Sequence, residues 1–259
     1  LAVSGKDVLP MAGEYTGEVV LTGIARFLDH TQAIDPIISL KKKAADLLAG
    51  LPARPPGFCV GCPERPVFSA MKLLEKESGK FHLSADIGCH LFSTLPPFNI
   101  GNTVLGYGLG LASNSAVNPM FGKRTVTMMG DGGFWHNGLA TGVASSVFNK
   151  DDGILVIMKN GYSSATGTQE LPSSPQHSEV KDDISIERAL KGLGVGWMKT
   201  VNNYDVGATM KTLKEAMTTK YQGLKVIVAE GECQLERQRK LRPVVSKNLA
   251  EGKRTVRVK

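Results

Sequence analysis

Short, nearly continuous apolar runs alternate with longer mixed stretches over most of this chain. Residues 125–129 (TVTMM) and 154–158 (ILVIM) are the clearest runs, followed by 195–200 and 225–229, and each reads as a buried strand. Residues 67–78, 136–148, 184–193 and 205–218 carry the spacing of helices. Residues 103–116 read as a further helix of small residues, in which Gly106, Gly108 and Gly110 lower helix propensity but permit close packing. Strands alternating with helices predict an α/β fold, a mostly parallel sheet with helices on both faces. Residues 169–179, rich in Ser and Pro, predict a loop able to act as a mobile lid. No internal repeat is visible.

The two clearest strands each end in a turn with chemistry in it. Gly130-Asp131-Gly132 follows the first and Asn160-Gly161-Tyr162 the second. In a parallel α/β sheet both turns fall at the carboxyl edge, where ligands bind. One carboxylate and one amide oxygen delivered there suit a hard divalent cation such as Mg²⁺, which takes oxygen ligands and accompanies phosphates. The flanking glycines let a diphosphate approach the backbone closely. Alone, Gly-Asp-Gly is an ordinary turn. Its strand–helix–strand context and an asparagine about thirty residues later resemble the thiamine diphosphate signature.

Composition narrows the class. The 259 residues, 42% hydrophobic and 21% charged, suffice for one α/β domain with extensions or two small ones. No apolar run approaches the ~18–20 residues of a membrane span, and the start shows no signal-peptide pattern. A cytoplasmic protein with no membrane partner is expected. The formal charge of +7 is concentrated beyond residue 236, where Arg237 to Lys259 hold nine Lys or Arg and one acid, Glu251. A basic tail suits nucleic acid, an acidic protein or a phosphorylated substrate. A solvated tail or subunit-docking arm weighs more, and the absence of interleaved aromatics argues against nucleic acid.

The four cysteines, Cys59, Cys62, Cys89 and Cys233, all lie in loops or at element ends, where side chains converge on sites more readily than in core runs. Disulfides are disfavoured without a sign of secretion. Structural zinc remains open, although the usual second CxxC is missing. A [4Fe–4S] cluster, which needs four thiolates from any spacing the fold can unite, also remains open.

Phe58-Cys59-Val60-Gly61-Cys62-Pro63, Asp86-Ile87-Gly88-Cys89, Gly130-Asp131-Gly132 and Asn160-Gly161-Tyr162 occur in that order. Together they resemble the thiamine diphosphate-binding part of the 2-oxoacid:ferredoxin oxidoreductases. Glu64-Arg65 after the Cys-Pro and Leu95-Pro96-Pro97 after Cys89 look most like the indolepyruvate branch and its alpha subunit. The resemblance covers roughly residues 50–235. It implies an N-terminal linker or subunit-contact arm over residues 1–50, containing a short amphipathic helix. It also implies a cofactor-binding domain over 51–235, which leaves the basic stretch over 236–259 as a tail.

By the same resemblance, Asp131, the Asn160 side chain and the Tyr162 carbonyl would ligate Mg²⁺. Gly130, Gly132, Gly133, Ser164, Ala165 and Thr166 would approach the diphosphate, and Ile87, Gly88, Cys89 and His90 would border the thiazolium. Cys59, Cys62, Cys89 and Cys233 would hold a [4Fe–4S] cluster. The implied reaction is oxidative decarboxylation of an aromatic 2-oxo acid to an acyl-CoA, with electrons leaving to ferredoxin or another carrier. The glutamate that activates thiamine diphosphate comes from another domain in this family, so no catalytic residue is assigned here. Partner subunits would supply the pyrimidine-binding and CoA-binding parts, leaving this chain inactive alone.

His90 and His136, and the aromatic pair Phe134 and Trp135, are open between site and core roles. The methionines from Met71 to Met158 fit core filling. Two other functions stay in view. A non-oxidative thiamine diphosphate enzyme would have no use for four converging cysteines. A zinc-stabilised scaffold with a working basic tail would bind no cofactor.

Overall fold

The computed structural model describes residues 3–52, 55–174 and 184–253. The chain divides into two compact units, residues 1–55 and 56–259. In the first, helix α1 (Gly17–Phe27) begins at Thr16, whose hydroxyl accepts from the Val19 N–H at 3.4 Å. Helix α2 (Asp35–Leu48) follows, with Pro at its first turn and no buried residue. The sequence reading anticipates one short helix here and misses α2.

The second unit holds a six-stranded, all-parallel sheet, formed by β1 (Leu83–Ala85), β2 (Thr103–Val104), β3 (Val126–Gly130), β4 (Ile154–Lys159), β5 (Trp197–Asn202) and β6 (Lys225–Glu230). The order is β2-β1-β3-β4-β6-β5. Alternate residues of the central strands feed opposite cores, which is why these strands read as unbroken apolar runs. Met128, Ile154, Val156 and Ile227 face helices α3 (Glu64–Ser78) and α8 (Val206–Thr218) through Phe68, Met71, Leu74 and Leu213. Met129, Leu155, Ile157, Val226 and Val228 meet Leu111, Phe134, Val143, Ile186 and Leu190 on the other face. Complete burial of one such side chain contributes roughly 1.5–3 kcal/mol.

Helix starts follow their caps. Ser185 accepts from the Arg188 N–H and opens α7 (Ile186–Gly192), and Asp205 accepts from the Ala208 N–H at 2.8 Å and opens α8. The helix expected over 136–148 begins earlier, with a first turn α5 (Asp131–Gly133), and widens over Phe134–Val143 into turns where Ala144 N–H reaches the Leu139 carbonyl. It closes as α6 (Ala144–Asn149). Such π-type turns are rare and concentrate at functional sites.

Two expectations need correction. Residues 103–116 are not one helix, because Thr103 and Val104 form an edge strand and helix α4 spans only Gly110–Val117. Gly108 sits at φ +79°, packed so closely on Gly133 and Asn137 that a Cβ would not fit. The glycines therefore build a tight turn beneath the first helical turn. Second, the basic segment begins as a helix, α9 (Gln234–Ala250), as its run of Gln, Leu, Glu, Arg and Lys favours, and it has no buried residue and so stays solvated. Arg239 donates to the Gly167 carbonyl and Lys240 to the Tyr162 hydroxyl, fastening α9 to the loop after β4. Of the methionines assigned to core, Met120 is 83% exposed. The lid expected over 169–179 lies partly outside the described residues. In its described part Leu171 and Ser174 are buried, the Ser174 hydroxyl donating to the Gly161 carbonyl at 2.6 Å, while Gln169, Glu170 and Pro172 are exposed. Among the described residues no helix is long and apolar enough to cross a membrane.

Candidate functional site

From β1 the chain steps outward to β2, then returns to the other side of β1 to form β3. That reversal opens a crevice at the carboxyl ends of β1 and β3, the usual ligand position in such sheets. The loop after β1 supplies residues 87–90, and the turn after β3 supplies Asp131, Gly132 and Gly133. The loop after β4, starting at Asn160, closes a third side. The result is a cavity of about 290 Å³. Its walls include residues 87–90, 130–133, 160, 162 and 164–166, so every residue singled out for diphosphate and cation is brought together.

Asp131 is fully buried at the cavity base. Its Oδ1 accepts from the Gly132 N–H at 3.0 Å, and its Oδ2 accepts from the N–H groups of Asn160 at 2.9 Å and Gly161 at 2.6 Å. Gly161, at φ +89°, allows the bend that aims both donors at one oxygen. Burial pushes the Asp131 carboxyl up to about 7 even against these N–H bonds. Asn160 is held at every polar atom of its side chain. Its Oδ1 accepts from the Tyr162 N–H at 3.1 Å and the Ser164 hydroxyl at 3.0 Å, and its Nδ2 donates to Glu64 Oε1 at 3.2 Å. Gly133 follows in this first helical turn, whose remaining N–H groups favour anionic oxygens. A Cβ on Gly132 would strike the Tyr107 hydroxyl and Ser163, which are hydrogen-bonded to each other across the cavity.

His90 is buried at the wall with no partner for Nε2, and burial pushes it down to about 4, so the ring is neutral at ordinary pH. His136 does not line the cavity, its ring standing 4.9 Å from that of Tyr107. Phe134 is core, and Trp135 donates its indole N–H to the Ser173 hydroxyl at 2.8 Å. Neither aromatic reaches the cavity.

The four cysteines are free thiols and line one small neighbouring cavity with Glu64, Asn160 and Ser164. Cys59 and Cys62 share a turn in which the Cys62 N–H donates to the Cys59 carbonyl at 3.1 Å, with Gly61 at φ +72°. Cys89 follows β1, and Cys233 precedes α9 after β6. Burial, then the nearby Glu64 carboxyl, pushes the Cys62 thiol up to about 12. Burial pushes Cys89 up as well, followed by Glu64 and the three other cysteines. Ionisation of the other thiols therefore opposes that of Cys89, and ionisation of Cys59 opposes that of Cys62. Among the described residues no three His, Cys, Asp or Glu side chains close on a point as a single metal ion requires.

Glu64, Tyr107 and Ser163 also line the main cavity, although the sequence assigned none of them to the site. Glu64 is 2% exposed, and burial, then the Asp131 charge, pushes its carboxyl up to about 8. Its place directly after Cys62-Pro63 was a signal, as was the setting of Tyr107 between two glycines.

This crevice, with its acidic turn and open helix start, is that of a thiamine enzyme. Residues 86–229 match the model of the thiamine pyrophosphate (diphosphate) enzyme C-terminal TPP-binding domain, and the chain belongs to that family. Among curated relatives, indolepyruvate oxidoreductase subunit IorA of Thermococcus kodakarensis is 30% identical over 252 residues, covering 91% of this chain and 38% of the relative. IorA of Pyrococcus horikoshii is 29% identical over 258 residues, covering 93% and 39%. The resemblance to the indolepyruvate branch, drawn from the motifs, is borne out by these relatives. The chain spans about two fifths of their length, 38–39%. A solved 2-oxoglutarate:ferredoxin oxidoreductase from Magnetococcus marinus, with 2-oxoglutarate, coenzyme A and succinyl-CoA bound, superposes with a TM-score of 0.58. It is 17% identical, covering 71% of this chain and 66% of that one, and bears on the fold alone.

Proposed function

We propose that this chain is the part of a 2-oxo acid oxidoreductase that holds thiamine diphosphate through Mg²⁺ beside a [4Fe–4S] cluster. One observation carries the reading: the diphosphate cavity and the four-cysteine cavity share a wall made of Glu64, Cys89, Asn160 and Ser164. A non-oxidative thiamine enzyme has no use for four thiols there, whereas an oxidative one needs an electron acceptor within reach.

The residues fit both groups. Asp131, the Asn160 Oδ1 and the Tyr162 carbonyl would hold Mg²⁺, and Asp131 is a buried carboxyl with no cationic side chain among the causes of its shift. Gly132, Gly133, Ser164, Ala165 and Thr166 would border the diphosphate, with residues 87–90 on the thiazolium side. Cys59, Cys62, Cys89 and Cys233 would hold the cluster, whose iron would offset the repulsion among their thiolates. A cluster is wider than one ion, which accords with thiols spread around a cavity. When bound, thiamine diphosphate supplies the nucleophilic carbon and electron sink that 2-oxo acid decarboxylation requires. The chain's own part is to anchor the diphosphate, to present the neutral His90 edge to the cavity and to keep the thiols adjacent.

The relatives' name supports an indolepyruvate-like aromatic 2-oxo acid as substrate. CoA would accept the acyl group, and ferredoxin or a similar carrier the electrons. Further parts of the longer protein or a partner subunit would supply the pyrimidine-binding side and its activating glutamate, so this chain alone would not turn over. Free thiols accord with a reducing, cytoplasmic setting.

Iron, acid-labile sulfide and zinc measured on protein purified without oxygen test the reading. About four irons and four sulfides per chain are expected, lost in Cys233→Ala. Zinc in their place, or no metal, would remove the oxidative half of the proposal.

A further inference from the structure

Glu64 is used by none of the ligand sets above, yet it is buried where the two cavities meet. It opens α3 immediately after Cys62-Pro63. Oε1 accepts the Asn160 Nδ2 hydrogen at 3.2 Å, while Oε2 has no hydrogen-bond partner. A side-chain amide offers oxygen on one side and NH₂ on the other, and only the oxygen can ligate a cation. Turned over, Asn160 would set its NH₂ against the Tyr162 N–H, donor to donor, and would take away the hydrogen that Glu64 Oε1 accepts.

We infer that Glu64 is a positioning residue, fixing the Asn160 amide with its oxygen toward the cation and tying the cation site to the cysteine segments. The tie is double. Glu64 follows the Cys59–Cys62 turn, and the Asn160 backbone carbonyl accepts the Cys233 N–H at 3.4 Å. One asparagine is thus held by both segments that bring cysteines from outside the main cavity. Residues that orient metal ligands in this way commonly set metal affinity by 10–100-fold when altered. The inference rests on the cation reading of Asp131 and Asn160.

The test titrates Mg²⁺ into the full-length assembly, purified without oxygen, at fixed thiamine diphosphate, with binding followed by calorimetry. Glu64→Ala is expected to raise the Mg²⁺ needed for half-saturation about tenfold. Glu64→Gln, whose amide oxygen still accepts from Asn160, is expected to stay near wild type, with iron and sulfide content equal in all three proteins. Should Glu64→Ala not fold, Glu64→Leu keeps the bulk, removes the acceptor and carries the same expectation. An unchanged Mg²⁺ requirement in the folded Ala or Leu variant overturns the inference, as does a Gln variant impaired as deeply as the Ala one. A wild-type protein with no Mg²⁺-dependent binding overturns the cation reading itself, and with it this inference.

Discussion

At the amino edge of the sheet, the Lys225 ammonium is fully buried against Asp152, and Arg124 holds the second oxygen of the same carboxylate at 2.9 Å. Arg124 also donates to the carbonyls of Ala216, Met217, Thr219 and Tyr221, closing the end of α8. At the carboxyl edge, Glu64, Asp86 and Asp131 are buried with no ion pair among the described residues. The shifts follow this difference. Burial pulls Asp152 upward, but Arg124 and Lys225 together hold it below its ordinary value. Burial instead pushes Glu64, Asp86 and Asp131 up. Lys225 is itself lowered, because burial of its ammonium, with the Arg124 charge beside it, outweighs the Asp152 carboxylate, which would raise it. One end of the sheet is electrostatically complete within the chain, whereas the other gathers buried carboxyls that burial disposes to hold protons.

The largest test of this contrast removes the shared carboxylate. Asp152→Ala would strand Lys225 and is expected to lower unfolding stability by about 3–5 kcal/mol in denaturant titration, with thiamine diphosphate affinity unchanged. A cost below about 1 kcal/mol would mean that the amino edge is no more closed than a surface pair. Next, Asp131→Asn is expected to weaken Mg²⁺-dependent thiamine diphosphate binding on the order of a hundredfold by calorimetry. Retained affinity would place the cation elsewhere. A smaller effect is a pH slope. Asp86 has a folded value of about 6 against an ordinary 3.8, so the folded state binds more protons and stability falls as pH rises between these values. Its contribution is fully present below 3.8 and gone above about 6, with a slope of up to about 1.4 kcal/mol per unit between them. Asp86→Asn should flatten that part of the stability profile, and an unaltered slope would assign it to another group. Smallest is Tyr204→Phe, which deletes the 2.8 Å bond from the Tyr204 hydroxyl to the Gly61 carbonyl in the Cys59–Cys62 turn. A loss of about 1 kcal/mol should speed iron release to a chelator several-fold. No change would show that the turn does not depend on this tether.

The strands were legible because buried parallel strands are apolar on both faces, so β3, β4 and β6 stand out as runs. The short β1 and the two-residue β2 carry too little pattern to be seen. Residues 103–116 misled because small apolar residues suit a helix and a packed turn equally, and only the closeness of Gly108 to Gly133 selects the turn. The Phe134-Trp135 pair showed apolar character but not direction, and the sheet takes both away from the cavity.

By itself, the sequence determined that a carboxylate and an amide would stand at strand ends in a parallel α/β domain. It also showed four cysteines lying where side chains can converge. Local periodicity and turn chemistry suffice for that, since each depends on near neighbours along the chain. Only the tertiary structure decided that the two cavities share a wall, that Glu64 is buried between them, and which way the Asn160 amide faces. Those facts rest on contacts such as Glu64 with Asn160, 96 residues apart, and strand order rather than local pattern brings such residues together.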